Sequence, residues 1–478
     1  MKSPVRVRFA PSPTGHLHIG NARTAVLNWL FARKHHGTLV LRVEDTDKER
    51  SKPEYEQVLL DHLEWLGVTF HESPAAGGPF APYRQSERQS IYQTYLAKLK
   101  ESGKVYPCYK SEEELHHIRE AALARGDIVP YNRKDLEPSD DERRRVEREG
   151  GQPLWLFNVE HGVIEWHDLV KGGISFEGER VGDFVVMRSN GLPTYNFASA
   201  VDDALMQITH VIRGDDHVSN TPKQILLLDA LGFPLPQFAH IPMISGPDRT
   251  RLSKRHGATS LEEFRRKGYL PQALINFLSL LSWSSESGVE ILSIEELIEE
   301  CDFSRMSQAP AAFDTSKLNW MNGQYIRKLS FDDFRKLGAP FLLQSDVGVS
   351  DDEQLTRVLS VLQPGVEYLS QLPQLARTFY QNLMQPTDGE AIAIVSRDSS
   401  QKIYWAFLRH LADHDDLDAA AFRVIMKEVQ QETGIMGKEL WMPIRVALTG
   451  KSHGPDLGKI AEILGKEKVV RFVKNRLD

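Results

Sequence analysis

Cysteine is nearly absent, with only Cys108 and Cys301 among 478 residues. Two thiols cannot build a disulfide framework, and so few fit a reducing compartment. Long hydrophobic runs are missing too. None approaches the roughly 20 apolar residues that a membrane-spanning helix requires. A signal peptide is not expected, since Met1-Lys-Ser-Pro-Val5 passes straight into a first strand. Net positive charge is lacking: Lys and Arg number 58 against 66 Asp and Glu, for a net charge of −8. That argues against a generally basic nucleic-acid binder, while leaving room for a local basic face. Internal repeats and low-complexity segments are absent as well. What remains has ordinary globular composition, 41% hydrophobic and 26% charged. The length predicts roughly three to five compact units with ample apolar sequence for their cores. A soluble, cytoplasmic chain is the expectation.

The most informative stretch runs from Ala10 to Asn21 and holds Pro11, Pro13, Gly15, His16, His18 and Gly20. A short apolar run, Val5 to Phe9, precedes it. A helical pattern follows from Ala22 to His36, with apolar positions at Ala22, Val26, Trp29, Leu30 and Ala32. Gly37 reads as a helix stop, and Leu39 to Val43 as a second strand. Strand, Gly-containing turn, helix, strand is the first βαβ unit of a parallel sheet. Its turn lies at the strand's C-terminal edge, where ligands meet the N–H groups of the next helix. Gly15 and Gly20 allow close backbone approach, and the two prolines stiffen the loop. His16 and His18 can offer ring N–H groups to phosphate oxygens. Taken alone, the same residues equally describe a capped Pro/Gly loop, because one Gly-rich turn is a weak signal.

A second stretch, Gly246 to Gly257, carries four cations, Arg249, Arg251, Lys254 and Arg255, between flanking Gly and Pro. Cations on a loop of this kind suit a reaction of a triphosphate, where charge builds up on a pyrophosphate leaving group. Taken together, the stretches resemble the paired motifs of class I aminoacyl-tRNA synthetases. His18-Ile-Gly-Asn21 is similar to the "HIGH" motif with Asn at its last position. Arg251-Leu-Ser-Lys-Arg255 is similar to "KMSKS" with Arg at both ends. Arg8 to Gly15, Arg42 to Asp47, Leu192 to Tyr195 and Val211 to Arg213 extend the likeness over nearly the whole chain. It is strongest to the bacterial type of glutamyl-tRNA synthetase.

The resemblance implies an α/β fold: a Rossmann-like, doubly wound parallel sheet, an inserted acceptor-binding α/β subdomain and an all-α anticodon-binding C-terminal region. The corresponding boundaries are 1–103 and 191–250 for the two halves of the catalytic domain and 104–190 for the insertion. The cationic loop and a stem-contacting helical domain take 251–324, and the anticodon-binding portion takes 325–478. Helices are expected at 51–66, 87–102, 272–281, 353–362 and 418–433. Strands are expected at 155–157, 162–166, 184–187, 207–212 and 238–243. A helix capped by Thr221-Pro222 and ending at Gly232 lies between the last two strands. The charged run Glu137 to Glu149 reads as a solvated helical face.

Relatives often hold zinc in the insertion. Here Cys108 stands alone, Asp135 falls about where another ligand belongs, and His116 and His117 are adjacent. A structural zinc site takes four N or S ligands, so none is expected.

The implied activity is glutamate–tRNA ligation in two steps: formation of glutamyl-adenylate from L-glutamate and ATP with Mg²⁺, then transfer to the terminal ribose of tRNA(Glu). AMP and diphosphate are released, and tRNA(Gln) stays open as a second acceptor. By the same resemblance His18 and Lys254 are catalytic, and Gly20, Asn21, Asp216 and Ser253 join them around ATP. Asp215 rivals Asp216 for the ribose. Arg8 and Arg213 serve the carboxylates of glutamate, Glu44 its ammonium, and Ser12 and Tyr195 complete the pocket. As alternatives, Arg8 is a strand-edge surface arginine and Glu44 an ordinary salt-bridge partner of Arg42. A monomer is the default expectation.

Overall fold

The computed structural model describes residues 4–477 except 16, 48–50, 126–132, 135, 137, 149, 251, 253–259, 350 and 382–383. The chain divides into two compact units, Met1–Glu263 with Leu274–Asp314, and Phe264–Ala273 with Thr315–Asp478.

In the first unit, β1 (Arg6–Phe9), α1 (Ile19–Lys34) and β2 (Thr38–Leu41) form the expected βαβ unit, with Arg6 opposite Thr38 and Phe9 opposite Leu41. Next come α2 (Pro53–Leu66), α3 (Gln89–Glu101), β3 (Val105–Cys108), α4 (Glu112–Arg125) and α5 (Asp140–Arg148). They are followed by β4 (Leu154–Phe157), β5 (Val163–Asp168), β6 (Gly172–Glu177), α6 (Gly178–Val181) and β7 (Phe184–Met187). The unit continues through α7 (Tyr195–Leu205), β8 (His210–Gly214), α8 (Thr221–Ala230) and β9 (Gln237–Ile241). β8 and β9 are parallel, with Arg213 directly opposite His240. β1 lies beside β8 and runs the same way. Thr209 donates its N–H to the Arg6 carbonyl at 2.9 Å, and Arg8 reaches the Ile212 carbonyl. β1 pairs with β2 in one two-stranded sheet, and β8 pairs with β9 in a second sheet. The β5–β6 hairpin extends it beyond β9, with Asp168 opposite Phe238. Strands β3, β4 and β7 form a separate antiparallel sheet. The parallel strands are largely buried, and three of them carry a buried polar or charged side chain, Arg8 in β1, Arg213 in β8 and His240 in β9.

Helix α1 begins at Ile19, three residues before the sequence pattern does. His18 is its N-cap: Nδ1 accepts the Gly20 N–H at 3.3 Å, a role that apolar spacing cannot reveal. The helix is buried nearly all round rather than along one stripe. One face covers the sheet, and Phe31 stacks on Phe303 at 5.1 Å on another. The chain leaves α1 through His36, whose φ is +48°; Gly37 serves a different need. A Cβ on Gly37 would fall 2.4 Å from the Val5 carbonyl oxygen, so a side chain there would push β1 away. Strand β8 starts three residues later than expected, because Gln207 adopts φ +56° in the turn that closes α7.

The second unit is helical from Thr315–Lys328 to Leu457–Lys474, around a core that includes Phe334, Leu359, Tyr404, Phe407, Phe422 and Phe472. Asp351 and Asp418 accept backbone N–H groups as N-caps of Asp352–Leu362 and Ala419–Thr433. Among the described residues no helix is long and apolar enough to cross a membrane.

Candidate active site

A crevice of about 540 Å³ opens at the C-terminal ends of β1 and β8. Arg8, Ser12, His18, Gly20, Asn21, Glu44, Tyr195, Arg213 and Asp216 all line it. Residues scattered over two hundred positions of sequence thus share one cavity. Ser253, Lys254 and the flanking Arg251 and Arg255 lie outside the described residues. Leu252, between them, is buried and lines the crevice.

The floor is a buried charge network. Arg42, with no exposed surface, donates to Asp203 Oδ1 at 2.6 Å and to Glu44 Oε1 at 2.9 Å. Arg8 Nε donates to the same Asp203 oxygen at 3.0 Å. Asp202 receives Arg88, Gln85 and the Tyr92 hydroxyl at 2.7 to 2.9 Å. Arg8 is thus a buried crevice residue rather than a strand-edge surface arginine. Glu44 does pair with Arg42, and it faces the crevice as well. Burial raises the Glu44 carboxyl above its usual range, opposed by Arg42. Asp203 is held below the usual carboxylate range: burial opposes this, and the guanidiniums of Arg42 and Arg8 outweigh it.

Arg213 is different. It is buried, and among the described residues its hydrogen bonds are all with neutral groups. Nη2 donates to Thr221 Oγ1 at 2.8 Å, Nε to His240 Nε2 at 3.2 Å and Nη1 to the Tyr195 hydroxyl at 3.4 Å. Among the described residues no carboxylate touches it. Burial lowers its pKa accordingly. A buried guanidinium without a counterion is costly, and an anionic ligand relieves that cost. Tyr195 starts α7 and also meets His217 Nδ1 at 3.2 Å. Burial and then Arg213 push His217 down to about 4, so its ring is neutral at pH 7.

The opposite wall carries the nucleotide candidates. Because His18 Nδ1 accepts from Gly20, the neutral ring holds its proton on Nε2, where it can be donated. Gly20 has no conformational need to be glycine, and among the described residues a Cβ there would meet only His18 Nδ1, at 3.8 Å. Its missing side chain leaves open crevice rather than room for protein. Asp216 is exposed and lines the crevice, whereas Asp215 is held by Lys171 at 2.8 Å.

Sequence reasoning missed Asp202, Asp203, Asp168, His217, His240 and Arg23. One signal was available: Asp202 and Asp203 interrupt a helix otherwise rich in Ala, Val, Phe and Leu. Arg23 is buried at the crevice, where it donates to the carbonyls of Pro242 and Leu281. Burial pushes its pKa down to about 10.

Cys108 sits in an apolar cluster with Leu115, Leu136 and Leu154, and burial raises its thiol pKa. It packs as a small hydrophobe, which suits a metal ligand poorly. Asp135 lies outside the described residues. His116 and His117 are exposed on α4 beside Glu120.

The chain is similar to known proteins over nearly its whole length. The family described as "tRNA synthetases class I (E and Q), catalytic domain" matches residues 4–320, and "Anticodon binding domain" matches residues 333–477. Glutamate–tRNA ligase 1 of Caldicellulosiruptor saccharolyticus is 46% identical over 473 residues, 98% of each chain. The glutamate–tRNA ligase of Bacillus licheniformis is 44% identical over 483 residues, 99% of each chain. The crystal structure of a glutamate tRNA ligase from Elizabethkingia meningosepticum, in complex with its amino acid, superposes with TM-score 0.85 at 31% identity, covering 99% of both chains. On this evidence the chain belongs to the glutamate–tRNA ligase family of class I tRNA synthetases.

Proposed function

We propose that the crevice binds L-glutamate against Arg213 and Glu44, activates it with ATP, and passes it to tRNA. The enzyme is an aminoacyl-tRNA synthetase, a glutamate–tRNA ligase. The observation that carries the substrate reading is Arg213, a buried cation on the crevice wall whose partners among the described residues are all neutral. It suits the side-chain carboxylate. A glutamine side chain would leave that charge unpaired, at a cost of several kcal/mol by typical estimates, about 2 or more. Glu44, facing the same crevice, suits the α-ammonium, and Arg8 the α-carboxylate. Ser12 and the Tyr195 hydroxyl complete the polar lining.

The α-carboxylate oxygen attacks the α-phosphorus of ATP, the bond to the bridging oxygen breaks, and pyrophosphate leaves with its electron pair. A terminal ribose hydroxyl of tRNA then attacks the activated carbonyl, and AMP leaves. Positioning and charge stabilisation dominate such chemistry. His18 donates from Nε2 to phosphate oxygens, Gly20 admits the adenine, and Asn21 and Asp216 contact the nucleotide and its ribose. Lys254 and Ser253 are assigned to the pyrophosphate. Mg²⁺ enters as part of the ATP substrate. The helical second unit is assigned to the anticodon, and the cytoplasm, where free thiols persist, to the reaction.

The test is charging of purified tRNA(Glu) and tRNA(Gln) transcripts with labelled glutamate, with Lys254→Ala as control. Charging of tRNA(Glu) alone identifies a discriminating enzyme, and charging of both a non-discriminating one. A folded protein that charges neither refutes the assignment.

A further inference from the structure

We propose that Asp168 and His240 are positioning residues for Arg213, fixing the direction in which its guanidinium faces the crevice. The proposal rests on the glutamate reading of Arg213 given above.

The three side chains come from adjacent strands. Asp168 ends β5, His240 lies in β9, and Arg213 lies in β8 directly opposite His240. Asp168 and His240 have no exposed surface. Asp168 Oδ1 accepts the backbone N–H groups of Val170, Lys171 and His240, at 3.0, 2.9 and 3.2 Å. Oδ2 meets His240 Nδ1 at 2.5 Å. The four contacts leave this carboxylate acting only as an acceptor, so the ring proton sits on Nδ1. His240 Nε2 is then a lone pair. It accepts from Arg213 Nε at 3.2 Å and from the Thr221 hydroxyl at 3.0 Å. Thr221 Oγ1 in turn accepts from Arg213 Nη2 at 2.8 Å. Two of the three guanidinium nitrogens are thereby locked, and Nη1 remains at the Tyr195 side of the crevice. Burial lowers the His240 pKa and keeps the ring neutral.

The arrangement explains why a carboxylate so close does not neutralise Arg213. Asp168 holds the cation through an uncharged ring. A direct salt bridge would fix Arg213 equally well but would compete with the substrate carboxylate for the same donors.

Asp168→Asn in the full-length enzyme tests the tautomer itself. The amide oxygen can keep the three backbone contacts. The amide nitrogen in place of Oδ2 donates to His240 Nδ1 and forces the ring proton onto Nε2. There it faces the Arg213 Nε–H, donor against donor. Aminoacylation kinetics at saturating tRNA(Glu) are expected to show KM for glutamate raised roughly tenfold or more, with KM for ATP within about twofold of wild type. Arg213→Ala is measured alongside. If it raises KM for glutamate while Asp168→Asn does not, positioning is wrong and the glutamate reading stands. If Arg213→Ala changes nothing, the glutamate reading itself falls, and the proposal with it. A parallel rise of both KM values means general damage to the crevice and overturns the proposal. Should Asp168→Asn not fold, His240→Gln and His240→Leu decide. Gln can present an acceptor to Arg213 and Leu cannot, so the glutamate KM must rise less for Gln; equal rises overturn the idea.

Discussion

Replacing Arg42 with Met should loosen the crevice floor selectively and by a calculable amount. Arg42 has no exposed surface and contacts Asp203 at 2.6 Å, Glu44 at 2.9 Å, Ser199 at 3.3 Å and Asp202 at 3.8 Å. Methionine refills much of the volume and removes the charge. Asp203 then keeps Arg8 and Asp202 keeps Arg88, but Glu44 loses the only ion-pair partner it has among the described residues. An uncompensated buried charge costs about 3–5 kcal/mol. Glu44 can escape part of that by taking up a proton, which its already raised pKa makes easier. The loss at pH 7 should therefore shrink as pH falls toward 5. Adding Glu44→Gln to Arg42→Met should recover a substantial part of it, because the orphaned charge is gone. Hydrogen exchange followed by mass spectrometry on peptides from α7 reads the effect locally. At pH 7 the single variant should exchange roughly a hundred-fold to a few thousand-fold faster, the equivalent of 3–5 kcal/mol. Protection within about fivefold of wild type, near 1 kcal/mol, would refute the claim that this network holds the crevice floor.

Two further outcomes follow from single residues. Gly20→Ala should leave stability unchanged or raise it by up to about 1 kcal/mol, since the site is helical and open. The same change should raise KM for ATP roughly tenfold, and an unchanged value would remove adenine from that wall. His217, ordinarily near 6.5, is pushed down to about 4 by burial and by Arg213. Between those values the unfolded chain binds the extra proton and the folded chain does not. Stability is therefore lost as pH falls through this window and is unaffected above it. His217→Gln should remove a loss on the order of 3 kcal/mol, read as a flatter dependence of the urea midpoint between pH 6.5 and 4.

Much of the architecture is legible in the sequence because the signals are local. The βαβ unit, the start of α8 at Thr221-Pro222 and the helical periodicity of the second unit each depend on residues within a turn or two of one another. Thr221 is nevertheless not the expected cap, since Asn220 holds the N-cap position without a side-chain bond and the Thr221 hydroxyl is engaged by His240 and Arg213. What escapes is long-range. Arg8 finds Asp203 across 195 positions, and His240 finds Asp168 across 72. No spacing rule reports such pairs. Asp215 and Asp216 are indistinguishable by sequence, and the structure pairs Asp215 with Lys171, 44 positions away. The β5–β6 hairpin teaches the same point. It lies in the stretch 104–190, yet β5 pairs in register with β9, some 70 residues later. The early start of α1 and the true role of Gly37 were hidden for another reason. Both depend on polar and backbone contacts, a His18 ring nitrogen and the Val5 carbonyl, that an apolar pattern does not register.

The central claim is that a buried, uncompensated guanidinium selects glutamate. The measurement that tests it most directly is kcat/KM for glutamate against glutamine on tRNA(Glu), for wild type and Arg213→Ala. Wild type should favour glutamate by roughly 10⁴ or more, as expected where a buried polar group is left unpaired by the wrong substrate. Arg213→Ala should lose about 10² to 10³ in kcat/KM for glutamate and retain a preference below about 10². A variant that charges glutamate as wild type does, with its preference over glutamine intact, would contradict the account.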